Sequence, residues 1–228
     1  MKKRKFILIV ISFGIFFSCL LLVLNYPTKK YKTNILNKDY IYELNKIIIV
    51  GDSRMELIEN NKDKMNLPKS IIFDAKSGAK IDWLYREGIP KLYKILKNQN
   101  YNYHVVFNLG VNDMDSNISI KNIVNQYYKT YKRIITNNEQ TNFYILSVNP
   151  IDENKIYNLF NKNSKRTTKK IELFNKEMIK LIKKDNIKNI KFCNSYNSID
   201  FEMPDGLHYN YKTDEKIMKY IIEKCVKY

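Results

Sequence analysis

Lys46-Ile47-Ile48-Ile49-Val50-Gly51-Asp52-Ser53 joins an almost wholly β-branched run to a small, polar turn. Four consecutive β-branched residues bounded by turn residues predict a buried parallel strand over Ile47–Val50, leaving Ser53 on a strand-to-helix turn. Four more short runs rich in Ile, Val, Phe or Tyr follow, at Ser70–Asp74, His104–Leu109, Asn142–Val148 and Ile187–Phe192. Helical periodicity lies between and after them. Ile120, Ile123, Val124, Tyr127, Tyr131 and Ile134 share one helix face, as do Ile171, Phe174, Met178, Leu181 and Ile182. Ile217, Met218, Ile221, Ile222 and Cys225 mark a last helix. Between Ile81 and Leu96 the pattern is interrupted by Gly88 and Pro90, which predicts a short turn and then a helix opening near Pro90. Five strands alternating with helices predict one α/β domain over residues 46–228, a doubly wound parallel sheet with ligands at the carboxyl ends of its strands.

Upstream, residues 1–26 read as a cytoplasmic tip and a transmembrane anchor. Phe6 to Leu24 is uncharged and almost wholly apolar, roughly 19 residues, close to the span of a bilayer core. Lys2, Lys3, Arg4 and Lys5 precede it and predict a cytoplasmic N-terminus with an exported remainder; Lys29, Lys30 and Lys32 beyond it narrow the bias. A cleaved signal shares the charged start and apolar run, yet no alanine occurs before Ala75. Phe16-Phe17-Ser18 is too bulky before Cys19 for a lipoprotein site. The expectation is an uncleaved single-pass anchor, a polar juxtamembrane linker over residues 27–45, and an extracellular domain.

The 228 residues carry 40 Lys+Arg against 23 Asp+Glu, a net charge of +17. Such a field favours polyanions, including lipid headgroups and anionic wall polymers. The lysines are scattered, so solvated faces account for most of them, the basic run Lys165 to Lys170 included. Nucleic acid is set aside as a partner, because it requires a cytoplasmic domain. Of three cysteines, Cys19 lies in the apolar run, which leaves at most one bridge, Cys193 to Cys225. No Cys-x-x-Cys pair exists, and the two late cysteines read as small buried apolar groups.

The strand-end rule directs attention to the loops that follow the strands: Gly51-Asp52-Ser53-Arg54, Ala75-Lys76-Ser77-Gly78-Ala79, Gly110-Val111-Asn112-Asp113, Asn149-Pro150, and Asp205-Gly206-Leu207-His208. Acyl transfer from an ester needs a hydroxyl, a base within hydrogen-bond reach, a group that orients the base, and donors awaiting the oxyanion. Ser53 suits the first role. Only two histidines exist, and His104 opens a strand at the wrong edge of the sheet. His208 follows Asp205 by three residues, near enough for that carboxylate to orient its ring. Gly78 and the Asn112 amide complete an oxyanion hole with the Ser53 N–H. Asp52 and Asp113 read as structural, bonding local backbone. No metal or organic cofactor is implied.

In order and strand placement, Gly51-Asp52-Ser53, Gly78, Gly110-Val111-Asn112-Asp113 and Asp205-Gly206-Leu207-His208 resemble the four blocks of the SGNH (GDSL-type) serine hydrolases. Ser147-Val148-Asn149-Pro150 resembles a subset of them found in low-GC Gram-positive bacteria. The resemblance implies a flavodoxin-like sheet, Ser53 as nucleophile, Asp205 and His208 as its partners, and an oxyanion hole of Ser53, Gly78 and Asn112. Arg54 stands where the family name expects leucine, and a cation beside the nucleophile would bias substrate choice toward acids. Trp83, just after the Gly78 loop, is a candidate substrate contact. The expected substrate is an acyl ester, foremost O-acetyl, on an extracellular carbohydrate or cell-wall glycan. An acyltransferase would use the same three residues; a non-catalytic wall-polymer binder would have no need of them.

Overall fold

The computed structural model describes residues 45–159 and 162–227. The anchor expected over residues 1–26 and nearly all of the linker lie outside them. Among the described residues, no helix is long and apolar enough to cross a membrane. Five strands form one sheet: β1 (Asn45–Gly51), β2 (Ile71–Ala75), β3 (Asn102–Asn108), β4 (Asn142–Leu146) and β5 (Ile190–Cys193). All neighbours are parallel, in the order β2-β1-β3-β4-β5. That is the doubly wound arrangement whose strand order reverses beside β1, and ligands bind at such a switch point. Every expected strand run overlaps an observed strand.

Side chains alternate across the sheet and both faces are buried. Ile48, Val50, Val105, Phe107, Phe143 and Ile145 face one apolar cluster; Ile47, Ile49, Val106, Tyr144 and Leu146 face another. The first cluster is covered by α2 (Ile81–Trp83), a π-helical turn (Leu84–Gly88), α3 (Ile89–Leu96), α4 (Ile120–Thr136) and α6 (Thr168–Asp185). The second is covered by α1 (Ser53–Asn60) and α7 (Tyr211–Tyr220), which runs on into a second π-helical turn (Ile221–Val226). Phe107 is fully buried and stacks on Tyr131 at 4.4 Å and Phe143 at 6.2 Å between ring centroids. Truncating such a ring to alanine costs about 3–5 kcal/mol.

Two sequence expectations are corrected and one is refined. A helix does open at Ile89 with Pro90 in its first turn, but what precedes it is a π-helical turn, the Ile89 N–H reaching Leu84 O, so the chain is helical without a break from Ile81 to Leu96. β5 begins at Ile190 rather than Ile187, because α6 runs to Asp185 and Asn186 then turns in the left-handed region at φ 46°. Cys193 and Cys225 are buried but not merely apolar. They form a disulfide that ties β5 to the C-terminal π-helical turn across a sequence separation of 32. A further short helix, α5 (Glu153–Leu159), buries only Ile156 and so has no apolar periodicity to betray it.

Candidate active site

Ser53 opens α1 directly after β1. Asp52 caps that helix, its Oδ1 accepting the Arg54 N–H at 3.0 Å, which satisfies one of the donors that a helix start leaves without a partner. Burial pushes the Asp52 carboxyl up, against the opposing pull of Arg54, His208 and Arg166. The Ser53 hydroxyl lies 2.9 Å from His208 Nε2, and His208 Nδ1 lies 2.7 Å from Asp205 Oδ2. An ionised carboxylate only accepts, so Nδ1 carries the ring proton and Nε2 is left to accept from Ser53.

The loop bearing these partners is shaped by its own backbone. Asp205 Oδ1 accepts the N–H groups of Leu207 at 2.8 Å and His208 at 2.7 Å. Burial works against the charge on Asp205, but the His208 N–H, the His208 ring and the Leu207 N–H outweigh it and hold the carboxyl below its ordinary value. Gly206 takes φ +87°, and a Cβ there would meet Asp152 O at 2.6 Å. Only glycine fits this bend.

The Gly78 loop and the loop after β3 are tied together. Asn112 Nδ2 donates to Ala79 O at 3.1 Å, and Asp113 Oδ1 accepts the Ile81 N–H at 3.3 Å. Asp113 Oδ2 also accepts from the Tyr127 hydroxyl at 2.7 Å, and burial pushes its carboxyl up. Gly78 adopts φ +71° with open space where a Cβ would stand, so backbone conformation rather than crowding calls for glycine. Ser77 donates its hydroxyl to Glu56 of α1, linking this loop to the Ser53 helix. His104, by contrast, lies within β3 opposite Ile47, its Nδ1 3.2 Å from the Tyr144 hydroxyl, away from the strand ends.

A family model for GDSL-like lipases/acylhydrolases matches residues 30–221. The chain belongs to the GDSL-like lipase/acylhydrolase family. It is therefore an ester hydrolase. Similar solved structures include a GDSL-like lipase from Bacteroides thetaiotaomicron, at 18% identity and TM-score 0.59, covering 80% of this chain and 89% of that one. A carbohydrate esterase family 3 protein from Talaromyces cellulolyticus matches at 16% identity and TM-score 0.58, covering 81% and 97%. A lipase/acylhydrolase from Enterococcus faecalis matches at 17% and 0.53, covering 78% and 93%. At these identities the likeness is one of fold. No curated protein matches the chain.

Two arginines of this acylhydrolase depart from the sequence reading. Arg54 is only 2% exposed. Its guanidinium donates to Leu207 O at 3.1 Å, Asn149 O at 3.1 Å and Pro150 O at 3.4 Å, and packs over the Tyr209 ring. It braces the His208 loop from below, so its assignment as a substrate contact is corrected. Arg166 went unrecognised inside a run read as a solvated face. Its Nη2 donates to Asn112 Oδ1 at 3.2 Å, its Nε to Val111 O at 3.1 Å, and its Nη1 to Asp115 at 2.9 Å. Lys165 and Lys170 also clasp this loop, through Asn117 and the Met114 carbonyl.

The sequence offers rarity alone as a signal for both, and rarity does not name a partner. Arginine occurs only five times among the 40 basic residues, and a planar fork that serves several carbonyls cannot be replaced by lysine. Trp83 is half-buried, packed against the core, and hydrogen-bonds Glu87, the partner of Lys76.

Proposed function

We propose that this acylhydrolase is a membrane-anchored serine esterase that removes acyl groups, foremost O-acetyl, from an extracellular carbohydrate or cell-wall glycan. The unbroken chain of hydrogen bonds from Ser53 through His208 to Asp205 carries the reading. The Ser53 hydroxyl attacks the ester carbonyl while His208 Nε2 takes its proton; Asp205 stabilises the imidazolium that forms. The Ser53 and Gly78 N–H groups and the second N–H of Asn112 Nδ2 receive the oxyanion. His208 then protonates the leaving alkoxide, and water releases the acyl group by the same route in reverse.

The apolar run Phe6–Leu24 behind four basic residues supports outward display. The Cys193–Cys225 disulfide suits the same side of the membrane, since such bonds persist in oxidising surroundings. The test uses the full-length chain with short-chain nitrophenyl esters, a fluorophosphonate probe, and an acetate-release screen over wall and capsular glycans. Ser53→Ala and His208→Ala are expected to abolish turnover, and the probe to label Ser53. Wild-type turnover in both variants sinks the assignment.

A further inference from the structure

A groove of about 470 Å³ opens between α2 with its π-helical turn and α4, lined by Ile81, Tyr85, Gln126, Lys129, Thr130 and Arg133. It does not contain Ser53, but one end meets the loops around it. The Ile81 N–H bonds Asp113, the neighbour of Asn112, and Asn112 bonds Ala79 two residues before Ile81. From that end the groove follows α4, where Gln126 and Arg133 are separated by about 10 Å of helical rise. This is room for more than a single acyl group.

The lining has a definite chemistry. Tyr85 is 56% exposed, and the Arg133 guanidinium lies over its ring, 5.6 Å from the centroid. Gln126 and Thr130 contribute an amide and a hydroxyl. The one carboxylate at the wall, Asp82, is paired with Arg86 at 2.9 Å, so Lys129 and Arg133 leave the groove positive. Tyr85 sits in the π-helical turn, an irregularity that often marks functional positions. An aromatic face beside amide and hydroxyl groups suits a sugar ring, and two cations suit carboxylates on it.

We propose that this groove is the subsite for an acidic, carboxylate-bearing glycan strand whose ester is presented to Ser53. The proposal rests on the esterase reading and names its substrate class. The exposed positions of Lys129 and Arg133 make Lys129→Glu with Arg133→Glu a change compatible with folding.

The experiment has two arms, both on the full-length chain. In the first, Ser53→Ala protein is titrated calorimetrically with O-acetylated polygalacturonate and with neutral O-acetylated xylan. The double charge reversal is expected to weaken polygalacturonate binding about tenfold at low salt, with the loss shrinking as salt rises. In the second, the ratio of kcat/KM for acetylated polygalacturonate to that for nitrophenyl acetate is expected to fall by about tenfold in Lys129→Glu/Arg133→Glu and in Tyr85→Ala. Absence of binding by the parent, an equal loss on xylan, or a ratio within about twofold of wild type overturns the proposal. If nitrophenyl acetate is not turned over and Ser53 takes no label, the esterase reading fails instead, and the calorimetric arm still judges the groove.

Discussion

Arg166 Nη2 donates to Asn112 Oδ1 at 3.2 Å, and so fixes which way the Asn112 amide points. With its carbonyl oxygen held by Arg166 and one N–H on Ala79 O, the remaining N–H is the one that the proposed oxyanion hole would use. Removing an oxyanion donor outright lowers kcat about 10²–10³-fold, and removing its orienter is expected to cost about tenfold. Arg166→Ala is therefore expected to lower kcat more than it raises KM. In an Asn112→Ala background the same change should add little, because nothing remains to orient. Kinetics of the four-member cycle check this, with thermal melts to separate simple loss of fold; full additivity would refute it.

Arg54 is the brace beneath the His208 loop. Arg54→Leu restores the residue expected by the family name, but strips the buried Leu207 and Asn149 carbonyls of their donor and leaves Pro150 O with the Tyr209 hydroxyl alone. Leaving such groups without a partner is expected to cost about 2–4 kcal/mol. Arg54→Lys should recover little, because an ammonium cannot match the planar fork. Chemical denaturation measures the loss, and an unchanged midpoint for Arg54→Leu counts against the bracing role.

The Cys193–Cys225 bond closes a loop spanning 32 residues of separation. Loop-closure entropy then predicts a stabilisation of about 3–4 kcal/mol. For a domain of this size that corresponds to roughly 10 °C in Tm. Melting with and without reductant, beside Cys193→Ala/Cys225→Ala, reads the difference; a shift below a degree or so would contradict the estimate.

Asp214, in the first turn of α7, has its carboxyl pushed up to about 7 by burial. The unfolded chain loses this proton near 3.8, while the folded chain keeps it to about 7. Between those values the folded state holds more protons, so stability declines as pH rises through that window and levels off above it. Asp214→Asn is expected to remove this slope and to raise the denaturation midpoint more at pH near 8 than near 5. Equal midpoint shifts at both values would show that burial does not penalise the charge.

The likeness between sequence and structure has a clear limit at particular residues. Ile47, Ile49, Val105 and Phe107 were legible as strand because a sheet buried on both faces demands short, β-branched or aromatic runs. The meeting of Ser53 and His208 was legible because strand ends and a supply of two histidines left few choices. Arg54 and Arg166 were not. Whether a basic side chain meets water or a row of carbonyls depends on partners 50 to 150 residues away, such as Leu207 for Arg54 and Asn112 for Arg166. The disulfide escaped for the same reason, since spacing alone does not bring two cysteines to 5.5 Å between Cα atoms.

By itself, then, the order of residues determined the layered α/β architecture and the few groups with the chemistry for acyl transfer, because periodicity and side-chain type are local properties. Tertiary structure alone decided which cations brace the loops around Ser53 and which meet solvent. Direction, desolvation and hydrogen-bond partnership exist only after distant segments of the chain have been brought together.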